Sequence, residues 1–382
     1  MLMVMILSTL TSPAMAAPDD QKKWTNGLPT DPDYFPIAVW LQSPHNAEKY
    51  QAIGINLYVG LHQGPTEAML SALEKAKMPV ICDQNDFALK NLDRKIIVAW
   101  MHGDEPDNAQ PAPGGGWGPP IPPAVIEKGY QQIVKNDPTR PVLLNLGQGV
   151  AWDNWIGRGE RTRKPEDYPL YIKGADIVSF DIYPAVEENA EVAGKLHFVA
   201  DGVKRLMGWT GGKKIIWNCI ETTRIHNLNV KPTPHQVKAE VWMSIIHGSR
   251  GLIYFSHQFK PEFIEAGLLA DKEMSDAVKQ INADIRSLAS VINSDEPKIA
   301  ATATSSDPAK APIALMTRRG KDATYVFAVA MRDVPADVTF KLAGLGAKPV
   351  EVIGESRKLA SKSDEWQDRF DGYGVHLYRI AD

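Results

Sequence analysis

From Phe35 onward, short β-branched runs alternate with stretches whose apolar residues recur at helical spacing. This is the pattern of βα units that build a parallel sheet. Eight runs read as strands: 36–41, 54–59, 79–83, 95–102, 141–146, 176–183, 214–221 and 251–256. Between them, 66–76, 124–135, 195–207, 234–247 and 271–292 read as helices. Val237, Val241, Ser244, Ile245 and Gly248 fall at helical spacing, giving one face that packs on a barrel wall. After Ile292 the period changes to the alternation of short antiparallel strands, as in Thr324-Tyr325-Val326-Phe327-Ala328-Val329.

These periods predict an α/β chain, a (β/α)8 TIM barrel over 35–293 followed by a small antiparallel β-sandwich over 294–382. A doubly wound open sheet is the rival, but it wants a glycine-rich phosphate turn after its first strand, and 41–46 has none. Residues 1–16 read as a signal peptide, with an apolar Leu2–Leu10 run and Ala14-Met15-Ala16 as the cleavage pattern, followed by an extension over 17–34. The positive charge usual at the start of such a leader is missing. The expectation is a periplasmic or secreted chain.

Composition changes this picture little. Of 382 residues, 44% are hydrophobic and 23% charged, with a net charge of -4, so neither a basic surface nor a basic run points to nucleic acid. No later segment reaches the roughly 18 apolar residues of a membrane span. Cys82 and Cys219 fall in the third and seventh strands, too far apart across a barrel for a disulfide, and are expected as buried free thiols. Neither has metal-ligating neighbours, and no metal or cofactor is expected. Composition says nothing of oligomeric state.

The chemistry sits where strands end, because the carboxyl ends of parallel barrel strands carry the reactive groups. Glu105 closes the fourth run and Glu221 the seventh, and an acid closing a buried strand is costly to desolvate. By alternation, Ile97, Ala99, Met101, Gly103 and Glu105 share one face, as do Ile215, Trp217, Cys219 and Glu221. Both glutamates are therefore expected to face the barrel mouth. The other strand ends supply Trp40, Gln42, His102, Asp104, Asn145, Asp181, Tyr183 and His257. A loop of six prolines and four glycines between Pro111 and Pro123 adds Trp117, while Trp152 and Trp155 are open between core and platform. Polar edges with aromatic faces suit a hydroxyl-rich ligand, and paired carboxylates suit glycoside hydrolysis.

Trp100 through Pro106, with glutamates at strand ends four and seven, resembles the retaining clan A glycoside hydrolases over residues 35–292. The resemblance implies Glu105 as acid/base and Glu221 as nucleophile, double displacement on a β-linked oligo- or polysaccharide, and no cofactor. Endo-β-glucanases, such as a β-1,3-glucanase, and exo-acting β-galactosidases or β-glucosidases fit equally. The clan carries Asn before the acid/base, whereas this chain has Asp104. Its charge tends to raise the pKa of Glu105, which suits a general acid. The same departure fits the alternative, a non-catalytic carbohydrate-binding protein on a degenerate glycosidase barrel.

Overall fold

The computed structural model describes residues 24–382, so the predicted leader over 1–16 and the start of the extension lie outside it. Eight parallel strands close into a barrel: β1 Ile37–Trp40, β2 Leu57–Val59, β3 Val80–Asp83, β4 Ile97–Met101, β5 Val142–Leu146, β6 Ile177–Phe180, β7 and β8 Leu252–Phe255. β7 comes in two pieces. Ile215–Ile216 pairs with β6, Asn218–Glu221 pairs with β8, and β8 in turn pairs with β1. The break falls at Trp217, whose ring fills the barrel so closely against Gly251 that an added Cβ there would lie 2.5 Å from it.

Two cores follow from the strand alternation. Ala38, Leu57, Ile81, Ala99, Leu143, Ile177, Trp217, Cys219 and Ile253 fill the barrel interior. The opposite faces, among them Ile37, Val80, Leu144, Val178 and Ile220, pack against the surrounding helices. Among the helices are α1 Ala47–Ala52, α2 Glu67–Ala76, α3 Pro123–Asn136, α4 His197–Thr210, α5 Pro234–Ile246 and α6 Lys272–Ser287. The alternation predicted for β4 begins only at Ala99. Val80 pairs with Ile97 but Ile81 with Ala99, a bulge at Val98 that turns Ile97 outward. Cys82 and Cys219 are free and buried.

The C-terminal unit packs a three-stranded antiparallel sheet with a five-stranded one around Phe340, Trp366, Phe370 and Tyr378. α5 lies between this unit and the barrel. Its Ser244 hydroxyl accepts a hydrogen bond from Asn218 of β7 at 2.8 Å, and its Trp242 meets Phe327 of the C-terminal unit. That position explains why α5 is buried over almost its whole surface rather than along one stripe.

Candidate active site

The carboxyl ends of the barrel strands open into a cleft of about 970 Å³. Of the residues expected there, Trp40, Gln42, Asp104, Glu105, Asn145, Asp181, Tyr183 and His257 line it, as does Trp155. The floor is acidic. Glu105 and Asp181 face each other within reach of a shared proton, and the Tyr183 hydroxyl lies beside Asp181. Asp104 accepts from the Asn145 amide at 3.0 Å, and Asn145 in turn accepts from Ser179 at 2.7 Å.

Glu105 reaches the cleft through a strained turn, with φ +42°, a left-handed conformation uncommon for a side chain this long. The turn is held from several sides. The Glu105 amide donates to the Asn145 carbonyl, and the Glu105 carbonyl accepts from Asn108 N–H and from the Gln110 side chain. Two residues on, buried Asp107 accepts from Gly147 N–H at 2.9 Å and Tyr168 hydroxyl at 3.0 Å. Surroundings that fix a strained acid at a cleft floor are the usual setting of a working group.

Two ionised carboxylates have no proton to bond with, so the Glu105–Asp181 contact requires that they share one. One Asp181 oxygen, Oδ1, is buried without any fixed donor, a vacancy a shared proton satisfies. Burial, then the charge of Asp181, holds Glu105 well above the ordinary carboxylate range. Burial likewise pushes Asp181 up to about 7 and Asp104 up to about 6. Glu105 is thus the acid that keeps its proton at neutral pH, and Asp181 is the partner that accepts from it.

The facing wall is aromatic. Rings run from Tyr183 to Phe255 at 5.1 Å, to His257 at 5.3 Å and to Phe263 at 6.0 Å, with Phe259 and His226 stacked beside them at 4.7 Å. Phe263 is 62% exposed at the cleft mouth, although it is a large apolar side chain. Burial holds the His257 ring neutral, and its Nε2 meets the Gln42 amide at 3.3 Å. Gln42 also donates to the Glu265 carbonyl at 2.9 Å and accepts from Tyr50. The sequence reading missed Phe255, Phe259, Phe263, His226 and Glu265. The signal for the phenylalanines was two large apolar residues within the loop that follows β8.

Three expected residues lie elsewhere. His102 points behind β4, where its Nε2 bonds the Ile126 carbonyl of α3 at 3.0 Å and its ring packs against Gly129. Trp117 stands at 77% exposure on a hairpin closed by the Pro111–Trp117 bridge, outside the cleft lining.

Glu221 is the major correction. It does not line the cleft and is fully buried. Its Oε1 accepts from Ala185 N–H at 2.6 Å, its Oε2 accepts from Val186 N–H at 3.0 Å, and it bonds the Glu240 carboxyl of α5. The alternation that seats Ile215, Trp217 and Cys219 inside fails at the last strand residue. Two backbone donors behind the wall give each carboxylate oxygen a charge-assisted bond there. Glu240, a lone acid among the apolar residues of α5, escaped the sequence reading too, though its isolation there was the available signal.

No protein-family model and no curated sequence matches this chain. Solved structures do match in fold. An alpha-amylase from Geobacillus thermoleovorans, complexed with acarbose, is 10% identical with a TM-score of 0.56, covering 92% of this chain and 99% of its own. An Anoxybacillus alpha-amylase is 10% identical with a TM-score of 0.52, covering 92% and 98%. A catalytic mutant of a GH42 beta-galactosidase from G. stearothermophilus is 7% identical with a TM-score of 0.53, again covering 92% and 98%. At such identities the likeness is one of fold, a TIM barrel followed by a β-rich domain.

Proposed function

We propose that this chain is an exported glycoside hydrolase that cleaves an oligosaccharide between Glu105 and Asp181. The observation that carries the reading is the cleft itself: a proton-holding acid pair on a polar floor, facing an aromatic wall. The floor's Asn145, Gln42 and Asp104 suit sugar hydroxyls, and the rings suit the C–H face of a pyranose. Glu105 gives its proton to the glycosidic oxygen. Asp181, steadied by Tyr183, attacks the anomeric carbon once that proton is committed. Water then attacks the anomeric carbon and breaks its bond to Asp181, while Glu105 takes the proton of that water, so the sugar leaves with its anomeric hydroxyl. Retention needs carboxyls about 5–5.5 Å apart and inversion roughly 6.5–9.5 Å, and a close pair is nearer the retaining spacing. The resemblance of Trp100 through Pro106 supports a β-linked substrate, and the leader-like residues 1–16 support export.

A panel of aryl α- and β-glycosides, with the first-formed anomer read by NMR, tests this reading. The expected result is turnover of a β-glycoside with retention, lost in Asp181→Asn. The second reading, a carbohydrate-binding protein on a degenerate barrel, is favoured by one observation: Glu221 is sealed behind the wall. Binding of a glycan by calorimetry, with no turnover of any panel member, would establish that reading instead.

A further inference from the structure

Behind the barrel wall lies a second acid pair that the chemistry above leaves unused. Glu221, at the end of β7, and Glu240, in the middle of α5, are both fully inaccessible to solvent. Neither Glu240 oxygen meets any fixed donor, yet its carboxyl bonds that of Glu221. That bond exists only while the pair holds a proton. Glu221 receives two backbone N–H bonds, which favour its charged form, so the proton belongs to Glu240.

The two N–H donors are Ala185 and Val186, just past Tyr183 in the loop that follows β6. This segment is gripped on its carbonyl side as well. Asn227 donates to the Val186 carbonyl at 2.9 Å, and Gly194 N–H donates to the Pro184 carbonyl at 2.7 Å. The Gly194 carbonyl in turn accepts from the Tyr373 hydroxyl of the C-terminal unit at 2.6 Å. Asp181 and Tyr183 therefore lie on a segment whose far end is tied, through one shared proton, to α5.

We infer that Glu221 and Glu240 form a proton-holding clasp that positions Tyr183 and Asp181 from behind the barrel wall. Both are positioning residues. The inference rests on the proposed role of Asp181 in turnover, but the geometry of the clasp does not. Replacing its proton by a permanent donor should preserve it, and removing the donor should open it. A buried lone carboxylate on Glu221 would then draw water or a cation, and the Ala185–Val186 backbone would follow it. The titratable groups around the pair are Glu187 on the same loop and Tyr373, which itself lies near Asp333 and Arg332. Burial and the charge of Glu221 keep Glu240 protonated well above the usual carboxylate range.

The test compares Glu240→Gln with Glu240→Leu, reading amide hydrogen exchange at Ala185 and Val186 beside kcat and KM. In Glu240→Gln the amide group donates to Glu221, and exchange and turnover should stay within about twofold of the parent chain. In Glu240→Leu the two amides should exchange at least about tenfold faster, and kcat should fall about tenfold with KM little changed. Raising the pH through the alkaline range should release the two amides in the parent chain and not in Glu240→Gln, after correction for intrinsic exchange. Unchanged exchange in Glu240→Leu, or a lowered Tm with kcat intact, overturns the inference. If Glu240→Leu does not fold, Glu240→Gln decides alone: loss of amide protection there, or a pH response equal to the parent's, overturns it. Absence of turnover on every glycoside defeats the proposed function, while the exchange measurement still settles the clasp.

Discussion

Two acid pairs occupy the same end of this barrel, one inside its mouth and one behind its wall. Glu105–Asp181 and Glu221–Glu240 are alike in chemistry: each brings together two carboxyls that must share a proton. They differ in access. The first pair lines a cleft large enough for a sugar and shares it with Asn145, Gln42 and a run of aromatic rings. The second touches only backbone amides and packed side chains. A raised carboxyl pKa therefore does not by itself mark a reacting group. What distinguishes the pairs is whether a substrate atom can reach the proton.

The largest effect should come from breaking the cleft pair. Glu105→Gln removes the proton donor without removing its bulk, and kcat should fall about 10³-fold on glycosides with poor leaving groups. The loss should be smaller on activated aryl glycosides, whose leaving groups need little protonation. An equal loss on both substrates would contradict the acid role. The parent chain should show a bell-shaped kcat/KM profile, rising as Asp181 ionises near pH 7 and falling when Glu105 gives up its proton at higher pH.

A smaller effect sharpens the comparison through stability. Glu240 lies in the ordinary carboxylate range once unfolded and is held well above it in the folded chain by burial and the charge of Glu221. The folded state thus binds a proton that the unfolded state has lost. This contribution is complete below the ordinary carboxylate range and is lost as the pH rises through the raised pKa of Glu240. The measurable form is a difference: Tm should fall less steeply with pH in Glu240→Gln than in the parent chain. Identical slopes would mean that the pair behind the wall holds no proton of its own.

The smallest effects concern the cleft mouth. Phe263→Ala should raise KM for an oligosaccharide about fivefold, near 1 kcal/mol of lost ring contact, and leave kcat close to that of the parent. Trp117→Ala, on its exposed hairpin, should change neither constant. If Trp117→Ala raises KM and Phe263→Ala does not, the substrate runs over the other rim.

Much of this arrangement was legible along the chain. The period of apolar residues placed eight barrel strands and a β-rich C-terminal unit, because burying one face of a strand or helix leaves its spacing in the sequence. Strand ends gave the address of Glu105, Asp104, Asn145, Asp181 and Tyr183, because a parallel barrel brings those ends together whatever the loops do. The same rule failed for His102 and Glu221. Strand alternation predicts the side of the sheet only while the pleat continues, and at the rim the backbone turns. There the direction of a side chain is set by whichever donors lie nearest. For His102 that partner is the Ile126 carbonyl, and for Glu221 it is two amides from a loop thirty-five and thirty-six residues away. The chain by itself determined which acids stand at the barrel's end. Only the tertiary structure decided which of them meets the cleft, because that choice depends on donors brought in from distant segments.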